Sequence, residues 1–174
     1  MEQFIIQLLG IIGMVLNFAS YQCKSTKNLY LFQAVSGFFF ALNFYFLDAY
    51  TGSLLIALNI ARGFLFAYCQ SEQKRNLISI GLIFAFLASG IFTFSGVSSV
   101  IATFAQIAGT LTMATKNGKI IRLGQVFCIS PFWLAHNILC FSIGGILTES
   151  FAIVSVLLFI VRFGRKNFIN TKTI

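Results

Sequence analysis

Forty consecutive residues, Asn76 to Thr115, carry no charged side chain. A helix that crosses a bilayer uses about 20 residues, so this stretch is too long for one crossing. Ser95-Gly96, with Ser98-Ser99 beyond, interrupts it where a turn belongs. Two helices joined by an uncharged turn predict a membrane hairpin, and the hairpin sets the terms for the rest of the chain. Soluble domains carry roughly a quarter charged residues. This chain carries 9% charged and 58% hydrophobic residues over 174 positions, which excludes a soluble enzyme, a nucleic-acid module and a disordered segment. At about 20 residues per span, it has room for about seven crossings and no separate soluble domain.

Apolar runs between charges and turn formers predict seven helices: Phe4–Tyr21, Leu29–Leu47, Thr51–Cys69, Leu77–Phe94, Val97–Thr115, Ile120–Phe141 and Ile146–Phe163. Met1 leads through Glu2 into the first run without a basic segment or a clear small-residue cleavage site, so that run is expected to stay as a helix. The net charge of +8 comes from basic residues scattered between the runs. Lys24 and Lys27, Lys74 and Arg75, then Lys116, Lys119 and Arg122 fall in alternate loops, with Arg162, Arg165, Lys166 and Lys172 towards the end. The intervening loops hold no Lys or Arg, and one holds Asp48. Short basic loops stay in the cytoplasm, so the N-terminus is expected outside and the C-terminus inside. The basic residues therefore report topology rather than nucleic-acid binding.

An odd helix number suits two parallel groups of three joined by one extra crossing. The expected organisation is a three-helix bundle over residues 1–70, a linker helix over 71–95, and a second bundle with a basic tail over 96–174. Faint echoes support a repeat. Ala41-Leu42-Asn43 pairs with Ala135-His136-Asn137, and the run ending in Arg62 pairs with the one ending in Arg162.

This plan resembles the SWEET sugar transporters and the wider PQ-loop and MtN3-like group, though Tyr21-Gln22 stands where a Pro-Gln pair is expected and Pro131 is the one proline. Without proline hinges, Gly10, Gly13, Gly37 and Gly109 are the candidate bending points. More closely, Ala135-His136-Asn137 through Ser142-Ile143-Gly144-Gly145 to Glu149, with Val161-Arg162-Phe163 and Leu58-Asn59-Ile60-Ala61-Arg62, looks like the YgjV family of bacterial inner-membrane proteins. The resemblance covers nearly the whole chain and implies an all-α polytopic membrane protein of the inner membrane, with seven helices in a SWEET-like three-plus-one-plus-three arrangement.

Arg62 lies about mid-helix, where a charge costs about 2.5–3.5 kcal/mol on insertion scales. It is expected either to face the bundle interior at a substrate or gating site or to snorkel to the cytoplasmic interface. Asn59 lies one turn earlier on the same face, and the SWEET resemblance implies a place for it in a central pocket. The alternative is a hydrogen bond between helices. His136, Asn137 and Trp133 share the sixth predicted helix. His136 and Glu149 are expected at similar depth, where a histidine near a carboxylate suits proton coupling or a structural hydrogen bond. Trp133 suits stacking on a solute ring or anchoring at the interface. Pro131 suits a kink, and Asn43 and Gln106 are further lining candidates. The 22 Phe are expected to face lipid or pack. Cys23, Cys69, Cys128 and Cys140 lack metal-site spacing and are expected as buried thiols.

No metal or other cofactor is expected. No paired carboxylates or phosphate loop suggest catalysis, and a Ser–His dyad on His136 lacks a nucleophile elbow. The chain is expected to move a small polar solute (a sugar, nucleoside, vitamin or organic acid) by alternating access, as a monomer or homo-oligomer among membrane lipids. The rival is a non-transporting receptor or structural protein, as the KDEL receptor is among proteins of similar architecture.

Overall fold

The computed structural model describes residues 2–20, 26–115, 120 and 123–170, with side chains at 3–20, 31–115, 120, 123–155 and 157. Among these residues the chain forms seven helices: α1 (Glu2–Ser20), α2 (Thr26–Phe46), α3 (Tyr50–Tyr68), α4 (Glu72–Phe92), α5 (Val97–Ala114), α6 (Ser130–Leu139) and α7 (Ile143–Asn170). A π-helical turn, Gln125–Ile129, runs directly into α6. Within the described residues α1, α3, α4 and α5 are each long and apolar enough to cross a membrane, and Leu31–Phe46 and Ile143–Ser155 are shorter apolar segments. The chain is thus a multi-pass helical membrane protein. Outward-facing Phe4, Phe38, Phe84, Phe92 and Phe104 give it an apolar exterior, while Phe40, Phe44, Phe66 and Phe86 fill the core.

The predicted breaks hold because they are turns that apolar helices cannot continue through. Gly96, at φ 110, separates α4 from α5 in a backbone conformation that a side chain disfavours. Asp48 and Phe141, each at φ 57, do the same between α2 and α3 and between α6 and α7.

These last two turns are copies of one another. Leu47 N–H bonds the Asn43 carbonyl and Ala49 N–H bonds the Phe44 carbonyl; 93 residues later Cys140 N–H bonds His136 and Ser142 N–H bonds Asn137. The positive-φ residues fall at the same offset. This register pairs Asn43 with His136 and Arg62 with Ser155. It corrects the pairing of Asn43 with Asn137 and of Arg62 with Arg162 that the sequence echoes suggest. Side-chain echoes slide easily by a residue or more, whereas a shared backbone turn fixes the register.

Packing follows the same repeat. Neighbouring helices form a ring, α1–α2–α3–α5–α6–α7 and back to α1. Exchanging α1 with α5, α2 with α6 and α3 with α7 maps the α3–α5 seam onto the α7–α1 seam. The α4 helix lies outside this ring against α3 and α5.

The two seams are built differently. At the α1–α7 seam Gly144 lies against the backbone of Gly10, so that a Cβ on Gly144 would overlap it. Small residues of this kind let helices approach closely in a membrane. At the α3–α5 seam the position matching Gly144 is Thr51, whose hydroxyl lies 2.8 Å from that of Ser99 and also bonds the Thr93 carbonyl. Gly10, Gly13, Gly37 and Gly109 lie against Asn43, Phe40, Ile60 and Arg62 respectively. Their absent side chains make room for neighbours, which accounts for them without hinges.

Candidate substrate site

The candidate residues form three groups rather than one midplane ring. The first is an aromatic box between the halves. Phe44 of α2 stacks on Trp133 of α6 with ring centroids 5.9 Å apart, and His136 meets both edge-on at 5.2 Å. Trp133 is 7% exposed and His136 1%, so Trp133 is an interior ring and its reading as an interfacial anchor is overturned. His136 Nδ1 lies 3.2 Å from the Ser98 carbonyl oxygen and 2.7 Å from the Ser98 hydroxyl. A carbonyl only accepts, so this contact assigns the ring proton to Nδ1. Nε2 is then a bare acceptor, and it is buried without a hydrogen-bond partner. The backbone of α3 closes over it at Gly52, where a Cβ would overlap Nε2. A serine does meet the histidine, as a dyad would require, but on the nitrogen that the Ser98 carbonyl already engages.

The second group locks α6 and α7 to the first half. The Asn43 amide donates to the Ile6 carbonyl at 2.7 Å, and its oxygen accepts the Ser142 hydroxyl at 2.6 Å. Both polar atoms of the Asn43 amide therefore have protein partners. Gln7 of α1 adds two bonds, donating to the Phe141 carbonyl at 2.9 Å and accepting from Ile143 N–H at 3.0 Å. Deeper along the α6–α7 contact, Gln125 of the π turn donates to the Ser130 hydroxyl at 2.9 Å, and Ser130 is the polar neighbour of the Glu149 carboxyl. Asn137 packs on Gly145. Asn137 Oδ1 and Glu149 Oε2 are buried acceptors without a hydrogen-bond partner. His136 and Glu149 thus have different serine neighbours, Ser98 on α5 and Ser130 on α6. Pro131 opens α6 directly after the π turn and faces outward.

The third group sits nearer the basic end. Arg62, 5% exposed, donates to the Gln106 carbonyl at 3.2 Å, the Thr110 hydroxyl at 2.8 Å and Asn59 Oδ1 at 2.5 Å. Its guanidinium lies 5.7 Å from the centroid of the Phe86 ring, and Gly109 makes room for it on α5. Gln106 also donates from its amide to the Leu55 carbonyl at 3.3 Å. Arg62 therefore faces the interior and binds α3 to α5, which settles the choice against snorkelling; the Arg162 side chain lies outside the described residues.

Sequence reasoning missed Arg75, which is 7% exposed and donates from Nε to the Ala114 carbonyl at 2.7 Å. Beside Lys74 at a helix start it reads as a topological charge. The signal was the open carbonyls that end α5, which attract a cation. Ser98, Ser99, Thr51 and Ser142 were read as turn formers or passed over, although hydroxyls near helix ends inside a bilayer must find partners. The cysteine expectation is corrected at Cys128, which is exposed; Cys69 and Cys140 are half-buried, and Cys23 lies outside the described residues.

The sequence model of a bacterial inner membrane protein family, Imp-YgjV, matches residues 4–167. No curated protein and no solved structure matches the chain.

Proposed function

The chain belongs to the Imp-YgjV family of bacterial inner membrane proteins, and from that premise we propose that it carries a small polar solute across the inner membrane by alternating access. The observation that carries this reading is the set of buried acceptors left without donors on α6 and α7: His136 Nε2, Asn137 Oδ1 and Glu149 Oε2. A buried polar atom without a partner costs about 1–3 kcal/mol, and such costs concentrate at functional sites. A solute that brings hydrogen-bond donors relieves them. The ring of six helices with α4 outside it supports a SWEET-like plan in which one three-helix group rocks against the other, with α4 as the linker. The distribution of Lys and Arg supports an outside N-terminus and an inside C-terminus. Arg62, held by Asn59, Gln106 and Thr110, is then a positioning residue on the cytoplasmic side rather than the primary contact.

The test is flux. Purified protein in liposomes should accelerate entry of at least one member of a panel of sugars, nucleosides, amino acids and organic acids. No acceleration for any of them would sink the proposal. Orientation is tested in a variant with its native cysteines replaced: Asp48→Cys should react with an impermeant maleimide on intact spheroplasts, and Gln73→Cys only after lysis. Reversal of that order would invert the topology.

One observation favours a second reading, a receptor without transport. The stack of Phe44 on Trp133, with Gly52 over His136, closes the interior near the uncharged end. If ligand binding left the reactivity of cysteines placed along α3 and α6 unchanged from both sides of the membrane, this second reading would replace the first.

A further inference from the structure

The two halves differ at one atom in a way that defines a ligand group. In the second half, Ser142 precedes α7 and its hydroxyl has two roles: it accepts from Gly145 N–H at 3.3 Å and donates to Asn43 Oδ1 at 2.6 Å. In the register fixed by the turns, Asn43 corresponds to His136 and Ser142 corresponds to Ala49. The donor sides of the pair behave alike. Asn43 donates to the carbonyl of Ile6 in α1, and His136 Nδ1 faces the carbonyl of Ser98 in α5, adjacent positions in the repeat. The acceptor sides do not. Asn43 Oδ1 receives the serine hydroxyl, whereas Ala49 caps α3 without any side-chain bond and His136 Nε2 receives nothing. Within the repeat, the first half lacks one hydroxyl.

Resting on the transport reading above, we propose that this missing hydroxyl is supplied by the solute: a polyhydroxylated ligand donates an O–H to His136 Nε2, in the place that Ser142 takes in the other half. The surroundings suit such a ligand. The side chains in contact with His136 are the apolar rings of Phe44 and Trp133, which suit the C–H surface of a polyol, and Nε2 is a bare acceptor rather than a charge. Entry requires the first turn of α3 to move, because Gly52 covers Nε2 and Ala49 lies one turn before it on the same element. The α2–α3 turn lacks the serine tether that holds its twin, because the position matching Ser142 is Ala49; its first helical turn is held instead through the Thr51 hydroxyl, to Ser99 and the Thr93 carbonyl.

The chain has one histidine, so isotopic labelling of histidine nitrogen in the full chain, in lipid nanodiscs, reads this ring alone by NMR. The probes are glycerol, glucose and myo-inositol as hydroxyl donors, with glycine betaine as a solute that has no donor. In the unsubstituted protein Nε2 should resonate as an unprotonated nitrogen and move saturably with at least one polyol but not with betaine. In Ala49→Ser it should already be moved in the same direction without solute, and polyol affinity should fall on the order of tenfold, the equivalent of one hydrogen bond. Serine already occupies the matching place in the second half, so the variant is compatible with the fold. A protonated Nε2 at the start, no response to any of the three polyols, an equal response to betaine, or unchanged affinity in Ala49→Ser would each overturn the proposal. Polyol flux that survives both Ala49→Ser and His136→Asn would leave transport standing and remove this site. A saturable shift without flux would keep the site and remove transport.

Discussion

The α2–α3 turn and the α6–α7 turn share one backbone, down to the left-handed residue at Asp48 and Phe141, yet they are held very differently. The α6–α7 turn is fastened to the first half by Gln7 and Asn43, which together make three hydrogen bonds to Phe141, Ser142 and Ile143. Its twin has Ala49 at the place of Ser142, is held through Thr51 instead, and faces a histidine with an unused acceptor. On the proposal above, the second of these turns is a lock and the first a reader. The difference teaches that two buried polar side chains of the same fold can differ in whether every polar atom has a partner, rather than in polarity. Asn43 and His136 are both buried and polar, and of the two only His136 has a polar atom without a partner.

Substitutions test that contrast, beginning with the seams. Gly144→Val places atoms on the Gly10 backbone, which cannot yield, and should cost about 3 kcal/mol or more. Thr51→Val at the matching place loses only hydroxyl bonds and should cost about 1–2 kcal/mol. Thermal unfolding of the purified proteins in detergent compares them, and an equal loss would mean that the seams are equivalent after all. Next in size, Asn43→Leu strands the Ser142 hydroxyl and should cost about 2–3 kcal/mol. His136→Asn keeps a donor for the Ser98 carbonyl and should cost about 1 kcal/mol or less. A larger loss at His136 than at Asn43 would reverse the assignment of lock and reader.

Smaller effects should run the other way. Ala49→Ser gives α3 the N-cap that α7 already has and should stabilise the protein by about 1 kcal/mol; destabilisation would argue against the shared turn geometry. Phe141→Asn places at φ 57 a residue that tolerates the left-handed region, as Asp48 does in the twin turn. A gain of no more than about 1 kcal/mol is expected, because the exposed phenyl ring gives up its apolar contacts. The same change at Asp48 should be close to neutral, and melting temperatures report both.

Much of the fold was legible because the bilayer writes it in length and charge. The 40-residue uncharged stretch, its Ser95-Gly96 break and the alternation of basic loops place the first five helices to within about five residues, while α7 runs seven residues past the expected Phe163 and the expected sixth helix is divided by a π turn. Arg62 was legible for the same reason, since a charge at that depth must turn inward or reach the surface. The candidate site was legible as a set of residues but not as an arrangement. Nothing in the sequence shows that Asn43 is spent on Ile6 and Ser142, or that His136 and Glu149 answer to different serines. Those facts depend on a register carried by backbone turns, and the turns share geometry without sharing side chains: Asp48 matches Phe141, and Ala49 matches Ser142. Arg75 escaped because its partner is a carbonyl at the end of another helix, and any residue type at position 114 would supply that.

The placement of α4 outside the ring bears on how the halves came to differ. In a two-fold dimer of a three-helix unit every residue serves twice, so a serine that caps one acceptor would also cap the matching one. A single chain that carries both halves lifts that constraint. Each seam can then follow its own chemistry, and serine at 142 opposite alanine at 49 is the kind of divergence that a single continuous chain permits and a symmetric pair forbids.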